Sequence, residues 1–197
     1  MDFTAADVAK LREMTGAGMM DAKKALVEAS GNMEGAVELL RKSGAAKASK
    51  KADRATSEGR VQMYMHGTGK LGVMVEVMCE TDFVARNEGF IEFCQDLAMH
   101  IAAAAPQYVT RDQVPADLVA KEAAFHREQL AAEGKPADVV EKILEGKMNK
   151  FYEDIVLMDQ KFVKDDAVTI TQLLESKILQ IGENLKIGKM LRQVLGS

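Results

Sequence analysis

Few residues in this chain have the types and spacing that could support chemistry. The stretch Gly67-Thr68-Gly69-Lys70-Leu71-Gly72 fits the G-x-G-x-x-G pattern of loops that cradle a pyrophosphate. Such a loop binds phosphate when a strand precedes it and a helix opens directly after it. Here the next residues alternate like a strand, with Val73, Val75 and Val77 at every second position. We therefore predict that these glycines form a β-hairpin turn, where positive φ angles are needed.

Metal, acid–base and nucleophilic sites have even less support. The three histidines have no ligand spacing with one another or with Cys79 and Cys94, and a metal site needs at least three convergent donors. The acidic pairs Glu153-Asp154 and Asp165-Asp166 are typical of solvated surface. No Gly-x-Ser-x-Gly elbow is present, and neither thiol has an evident histidine partner. The sequence therefore predicts no catalytic residue, no metal site and no cofactor.

The segment from Glu80 to Asn87 stands apart because it joins the predicted second strand of the hairpin to a helix. Thr81 is well suited to cap a short helical turn of Asp82, Phe83 and Val84, and Asn87 to cap the helix that follows. Two interpretations of Phe83 are open on these residues alone. Its ring packs inward as a staple, or it forms an exposed wedge on a rigid tip, beside a carboxylate.

Composition and net charge limit the classes of function that the chain can have. The chain has 197 residues, 47% of them hydrophobic, and a formal net charge of −4. This balance does not favour a general nucleic-acid or membrane binder. No apolar run approaches the roughly 18 residues of a membrane span, and the start has no signal-peptide pattern. Two lone cysteines are typical of a reducing cytosol, so we expect a cytoplasmic protein.

The elements that position these residues predict an α+β fold. Residues 1–43 read as a three-helix module. Thr4, with Asp7 three residues on, caps the first helix in a capping-box pattern, Asn32 caps the third, and the third ends near Gly44. A basic linker over 44–59 follows, and then a mixed core domain over 60–197, with a small antiparallel sheet packed by helices. Within that domain we predict the hairpin, helices over 88–105, 115–134, from Pro136 onward and over 171–181, an irregular stretch over 162–166 and a last strand over 185–191.

The basic linker has two readings. Residues 41–60 hold seven Lys and Arg residues against Asp53 and Glu58, with small residues between them. A solvated, partly helical connection is favoured. The alternative is an RNA-facing strip, but no aromatic residue interleaves the charges to stack on bases.

Two long motifs in this chain resemble the signatures of bacterial elongation factor Ts. Leu11-Arg12-Glu13-Met14-Thr15-Gly16-Ala17-Gly18-Met19-Met20-Asp21-Ala22-Lys23-Lys24-Ala25-Leu26 is similar to the family's N-terminal signature. Thr81-Asp82-Phe83-Val84-Ala85-Arg86-Asn87 is similar to its second one. Shorter matches follow in order over 145–148, 162–164 and 181–184, so the resemblance covers essentially the whole chain.

The resemblance implies a guanine-nucleotide exchange factor for elongation factor Tu, which binds Tu-GDP, displaces magnesium and GDP, and allows GTP to reload. It implies that residues 1–43 form a ubiquitin-associated-like bundle that docks on the partner through Val8, Leu11, Met19 and Met20. It also implies that Thr81, Asp82, Phe83 and Val84 form the segment that intrudes near the nucleotide and dislodges the magnesium ion, with Phe83 as the wedge.

The family resemblance also bears on assembly. This chain carries one copy of the core, and single-core members act as homodimers, so a homodimer is expected. The family usually has arginine and aromatic residues in its last strand. The last strand of this chain departs from that pattern, and the aromatic packing of the dimer contact is therefore expected to be lost. Three rival functions stay open here: an RNA-binding module using 41–60, a ubiquitin-associated-type adaptor, and an enzyme using the glycine-rich stretch.

Overall fold

The computed structural model describes residues 3–133 and 136–196. The chain folds as two compact units. The first contains the chain up to Met99 together with the segment from Thr171 onward, and the second runs from His100 to Ile170. Runs of helices and pairs of antiparallel strands follow one another along the chain, as in an α+β fold, so the predicted fold class is confirmed. No helix among the described residues is both long and apolar enough to cross a membrane.

Three helices open the first unit: α1 (Ala5–Thr15), α2 (Met19–Glu28) and α3 (Met33–Lys51). Thr4 and Asp7 form the predicted capping box at the start of α1, and Asn32 caps α3 through a 2.8 Å bond from the Gly35 N–H. Small and aliphatic side chains fill the bundle core. Its buried members are Val8, Leu11, Ala17, Ala22, Ala25, Leu26, Ala36 and Leu40.

A three-stranded antiparallel sheet follows, with strand order β1 (Glu58–His66), β2 (Leu71–Cys79) and β5 (Lys186–Val194). The β1–β2 pair is the predicted hairpin, and it is confirmed. Gly67 and Gly69 have φ angles of 52° and 84°, and the Gly69 N–H donates to the His66 carbonyl at 3.1 Å. The glycine-rich stretch is therefore a turn.

The two faces of the sheet differ in burial. On β2, Val73, Val75, Val77 and Cys79 are buried, while Met74 between them is exposed. On β1 the buried residue is Gln62, and the hydrophobic residues on either side of it face outward. One sheet face thus belongs to the core, and the other presents apolar side chains at the surface.

Two helices come directly after β2: α4 (Asp82–Ala85), a single turn, and α5 (Glu88–Ala104). Helix α5 contributes Phe90, Phe93, Cys94 and Leu97 to the buried interior. Its last residues belong to the second unit. The helix ends two residues before Pro106, in agreement with the sequence prediction.

The second unit contains α6 (Ala116–Ala132), α7 (Ala137–Ile155), β3 (Lys161–Phe162) and β4 (Asp165–Thr169). Helices α6 and α7 pack against each other. His100 is buried, its Nε2 lies 3.0 Å from Gln160 Oε1, and its Nδ1 lies 3.3 Å from the Val163 N–H. Because Val163 is a donor, the ring must be neutral to satisfy both contacts.

Helix α8 (Ile170–Ile181) leads to β5 and contacts the three-helix bundle. The Ser176 hydroxyl donates to the Thr15 carbonyl at 3.3 Å. Gly44 of α3 faces Leu179, where an added methyl group would lie 3.7 Å from Leu179 Cδ2. Gly16 similarly faces Gln180.

Two boundary predictions are wrong. Helix α3 does not end near Gly44 but continues to Lys51, because alanine and lysine follow the glycine and favour helix. The stretch 162–166 is not irregular throughout: Phe162 pairs with Asp165 in the short β3–β4 ladder, Asp166 continues β4, and Val163 and Lys164 form the turn between the strands. The division into a module over 1–43, a linker over 44–59 and a core over 60–197 stays a prediction.

Candidate functional site

The tip segment, residues Thr81 to Val84, begins two residues after the end of β2 and opens α4. Thr81 is the N-cap, with φ −128° and ψ 154°, and its hydroxyl oxygen accepts from the Val84 N–H at 3.5 Å. Phe83 in the middle of this turn is 82% exposed. The ring is therefore not an inward staple, and of the two interpretations the exposed one agrees with the structure.

A charged pair borders the phenyl ring. Asp82 Oδ2 lies 3.0 Å from Arg86 Nη2, one helical turn further along, and both side chains are largely exposed. A solvent-exposed pair of this kind contributes at most about 1 kcal/mol. Either group is therefore free to exchange its partner for a charge on another molecule at little cost.

Asn87 fixes the downstream end of the tip. Its side-chain oxygen accepts from the backbone N–H groups of Gly89 at 2.9 Å and Phe90 at 3.3 Å, which caps α5 as predicted. Phe90 itself is fully buried. The tip is thus tied to a helix that is anchored in the core, although α4 contains no buried residue of its own.

Three residues at the upstream end of the tip make contacts that the sequence did not indicate: Glu80, Glu183 and Asn184. Glu183 lies at the base of the tip and accepts hydrogen bonds from it, while Glu80 accepts from the Asn184 N–H at 2.6 Å. Asn184 and Glu183 are part of the motif match over 181–184. Their contact with the tip spans more than a hundred positions, so no local pattern could have indicated it.

A shallow cleft runs beside the phenyl ring. Phe83, Val84 and Asn87 form one side, and Gln180 and Ile181 from the end of α8 contribute to its lining. An exposed aromatic ring next to an open cleft offers both a projection and a recess to a protein partner.

Burial suppresses the reactivity of both cysteines. Loss of solvation raises the pKa of Cys79, whose thiol donates to the Thr81 carbonyl at 3.1 Å. The same cause raises the pKa of Cys94 to about 12. Both groups are therefore protonated at neutral pH, and a protonated thiol is not a nucleophile.

The four predicted docking residues separate into two pairs. Val8 and Leu11 are buried in the bundle core, whereas Met19 and Met20, in the first turn of α2, are exposed. Met14 is also exposed. Only the methionines present side chains to a partner, so any contribution of Val8 and Leu11 acts through the packing behind them. The docking role of all four stays a prediction.

The family model described as "Elongation factor TS" matches residues 4–196. The chain belongs to the elongation factor Ts family. It is 55% identical to elongation factor Ts of Geobacter sulfurreducens over 196 residues, covering 100% of the chain and 91% of the relative. It is 52% identical to that of Fervidobacterium nodosum, with 100% of both chains covered.

Membership of the Ts family confirms the function that the motifs imply. The family is known for guanine-nucleotide exchange on elongation factor Tu in translation elongation, and the chain has that function. The role of each tip residue in exchange stays a prediction.

A second feature of this Ts chain was missed by the sequence reasoning: an apolar surface on the sheet, here called the outer face. In the β1–β2–β5 ladder Met63 lies opposite Met74, and Met74 lies opposite Leu191, so the three form one row across the strands. The alternation of β1 marks two faces but does not tell which one is buried. The exposed hydrophobic members of the outer face are Val61, Met63, Met65, Met74 and Leu191.

Proposed function

We propose that the tip segment is the element that drives nucleotide exchange. Phe83 enters elongation factor Tu near its nucleotide site, and the displacement dislodges the bound magnesium ion. GDP loses the charge that neutralises its phosphates and leaves, after which GTP can enter. The chain binds both the GDP-bound and the nucleotide-free states of the partner, and it makes or breaks no covalent bond.

The observation that carries this proposal is the exposure of Phe83 on a turn that is tied down at both ends. With 82% of its surface exposed, Phe83 has the largest exposed fraction among the large hydrophobic side chains that the structure describes, and burying it in a partner would gain free energy. Thr81 and Asn87 cap the two helical segments around it, so the ring projects from a fixed base. Rigid aromatic projections lose little conformational entropy when they bind.

The free energy gained by burying one phenyl ring is too small for Phe83 to release the nucleotide alone. A nucleotide held with nanomolar affinity contributes about 12 kcal/mol of binding free energy. Burying one phenylalanine yields roughly 1.5–3 kcal/mol. Most of the free energy must therefore come from docking by other surfaces, and Phe83 determines where the strain is applied. By linkage, nucleotide weakens the binding of this chain by the same factor, which lets the factor cycle.

Docking is assigned to the N-terminal bundle, with Met19 and Met20 as its contact residues. Both side chains are exposed in the first turn of α2. Unbranched, polarisable methionine side chains adapt to a partner surface. Val8 and Leu11 support that turn from inside the bundle.

A homodimer through the outer face completes the proposed assembly. Five exposed apolar side chains on one sheet face form a surface that favours burial, since soluble monomers rarely expose large contiguous apolar patches. A symmetric dimer would pair this face with itself. On β5 the contact is made by Leu191, an aliphatic side chain, instead of an aromatic one. We place the dimer in the cytoplasm, where translation elongation occurs.

Release of a fluorescent GDP from elongation factor Tu tests the role of the tip. Phe83→Ala should lower the maximal release rate at saturating chain by about tenfold, because it removes most of one phenylalanine's burial energy. Its binding to the GDP-bound partner should change little. Phe125→Ala, which removes another exposed ring on α6, is the matched control. A wild-type maximal rate for Phe83→Ala would refute the wedge.

A further inference from the structure

The turn that follows α8, here called the junction turn (Gly182, Glu183 and Asn184), holds the base of the tip segment. The Glu183 carboxylate accepts three hydrogen bonds. The backbone N–H groups of Glu80 and Thr81 donate to Oε2 at 3.0 and 3.1 Å. The Thr81 hydroxyl donates to Oε1 at 2.6 Å. A single carboxylate therefore binds three donors at the residue that caps α4 and at the residue before it.

The Thr81 hydroxyl connects the Glu183 carboxylate to the backbone of the tip segment. While it donates to Glu183, its oxygen accepts from the Val84 N–H, the amide that follows Phe83. An ionised acceptor strengthens and orients the hydrogen bonds made to it. The position of Glu183 therefore fixes the direction in which α4 leaves the sheet.

The same turn is bound to the end of α3. The Asn184 side-chain amide donates to the carbonyls of Ala52 at 3.3 Å and Arg54 at 2.9 Å. The Lys51 ammonium donates to the Gly182 carbonyl. The junction turn thus connects the tip with the helix that belongs to the N-terminal bundle, and both ends of this connection lie in the first compact unit.

Core packing holds α4 only in part. Helix α4 has four residues and contacts β1 and β2, but none of its side chains is fully buried, and Val84 and Ala85 are only half-buried. Asn87 fixes only the downstream side. Without the carboxylate, the upstream side would keep this partial packing, the chain connection and the Cys79 thiol contact to the Thr81 carbonyl.

We propose that Glu183 is a positioning residue for nucleotide exchange, which holds the tip segment at a fixed angle to the surface that docks the partner. The proposal rests on the proposed function of the tip. Glu183 acts through Thr81 and touches neither nucleotide nor magnesium ion. Its removal leaves the docking surfaces intact but lets α4 and Phe83 sample directions that do not engage the nucleotide site.

The test compares Glu183→Ala and Glu183→Gln with the wild-type chain in fluorescent GDP release from elongation factor Tu. Glutamine keeps the length and one carbonyl oxygen but presents an NH2 group where three donors converge, so we expect it to be impaired as well. The expected result is a fall of about tenfold in the maximal release rate for Glu183→Ala, with an unchanged dissociation constant for the GDP-bound partner. Glu128→Ala, at an exposed glutamate of α6, should behave as the wild type.

Two further measurements separate positioning from general destabilisation. Amide hydrogen exchange should speed up at Thr81 and Val84 in Glu183→Ala while the amides of α5 keep their protection. The double variant Phe83→Ala, Glu183→Ala should be no slower than Phe83→Ala alone, because both changes remove the same contact. Additive losses, or loss of protection throughout α5, would overturn the positioning role.

The GDP release rates of the two single variants distinguish a failure of the wedge proposal from a failure of the positioning proposal. A wild-type rate for Phe83→Ala would overturn the proposed function of the tip and this proposal with it. A slow Phe83→Ala together with a wild-type rate for Glu183→Ala would overturn the positioning role alone and leave the wedge in place.

Discussion

A glutamate in place of Met63 is expected to split the proposed homodimer. Met63 lies in the central row of the outer face, opposite Met74, and its side chain is 69% exposed in the single chain. Burying a whole methionine side chain yields roughly 1.5–3 kcal/mol, so the exposed fraction contributes roughly 1–2 kcal/mol. In a symmetric dimer every substitution occurs twice, which raises the loss to roughly 2–4 kcal/mol.

A loss of that size weakens dimerisation by about 30- to 700-fold. Two carboxylates brought into an apolar interface add further repulsion and desolvation. Sedimentation velocity over a range of chain concentrations measures the effect directly. Val163→Glu, which changes an exposed valine between β3 and β4, is the matched control. A Met63→Glu chain with an unchanged dimer constant would refute the outer face as the interface, as would a monomeric wild-type chain at micromolar concentrations.

Two other predictions concern docking and pH. Met19→Lys should weaken complex formation with elongation factor Tu by about tenfold, since it exchanges an exposed methionine for a charge; an unchanged dissociation constant in calorimetry would contradict docking at this position. Burial lowers the pKa of His100 in the folded chain. The unfolded state therefore takes up the proton first, and the free energy of unfolding falls as the pH drops through the ordinary histidine range near 6.5. The free energy of unfolding should therefore decline between pH 7.5 and 5.5 in the wild type, by at most about 1.4 kcal/mol per pH unit for this group, and decline less in His100→Gln; equal slopes in denaturant titrations would contradict the assignment.

Local signals predicted the helix caps and the hairpin turn because each of these features depends on residues close in sequence. Thr4 with Asp7, Asn32 and Asn87 cap the helices that they were expected to cap. The glycines at 67 and 69 form the turn that the alternation on both sides required. Helix capping and turn formation depend on a few neighbouring residues, so both can be predicted from the sequence alone.

Contacts between distant residues explain what the sequence did not predict. Gly44 suggested a helix end, but it lies inside α3 at a point where Leu179 packs closely, and the helix continues past it. The basic stretch that follows is partly used internally: Lys47 pairs with Asp21 at 3.0 Å, and Arg54 lies 3.5 Å from Glu80. These partners are 26 residues away, so counting charges could not identify them.

The candidate site was predictable only in part, for the same reason. The family resemblance named Val8, Leu11 and Met19 as docking residues but could not tell that the first two face inward. The exposure of Phe83 needed the structure, since a phenylalanine in a turn is compatible with staple and wedge alike. Glu183 was part of a motif match, yet its function as an acceptor for Thr81 depends on a contact across 102 positions.

The most direct test of the central claim is the release of GDP from elongation factor Tu with wild-type chain and Phe83→Ala, each at saturation, with magnesium and with a chelator. If Phe83 acts by dislodging the magnesium ion, the variant should be about tenfold slower than the wild type with magnesium present. In the chelator the difference should disappear, because no ion is left to displace. An equal deficit for Phe83→Ala under both conditions would contradict the magnesium step, and no deficit under either would contradict the tip segment as the exchange element.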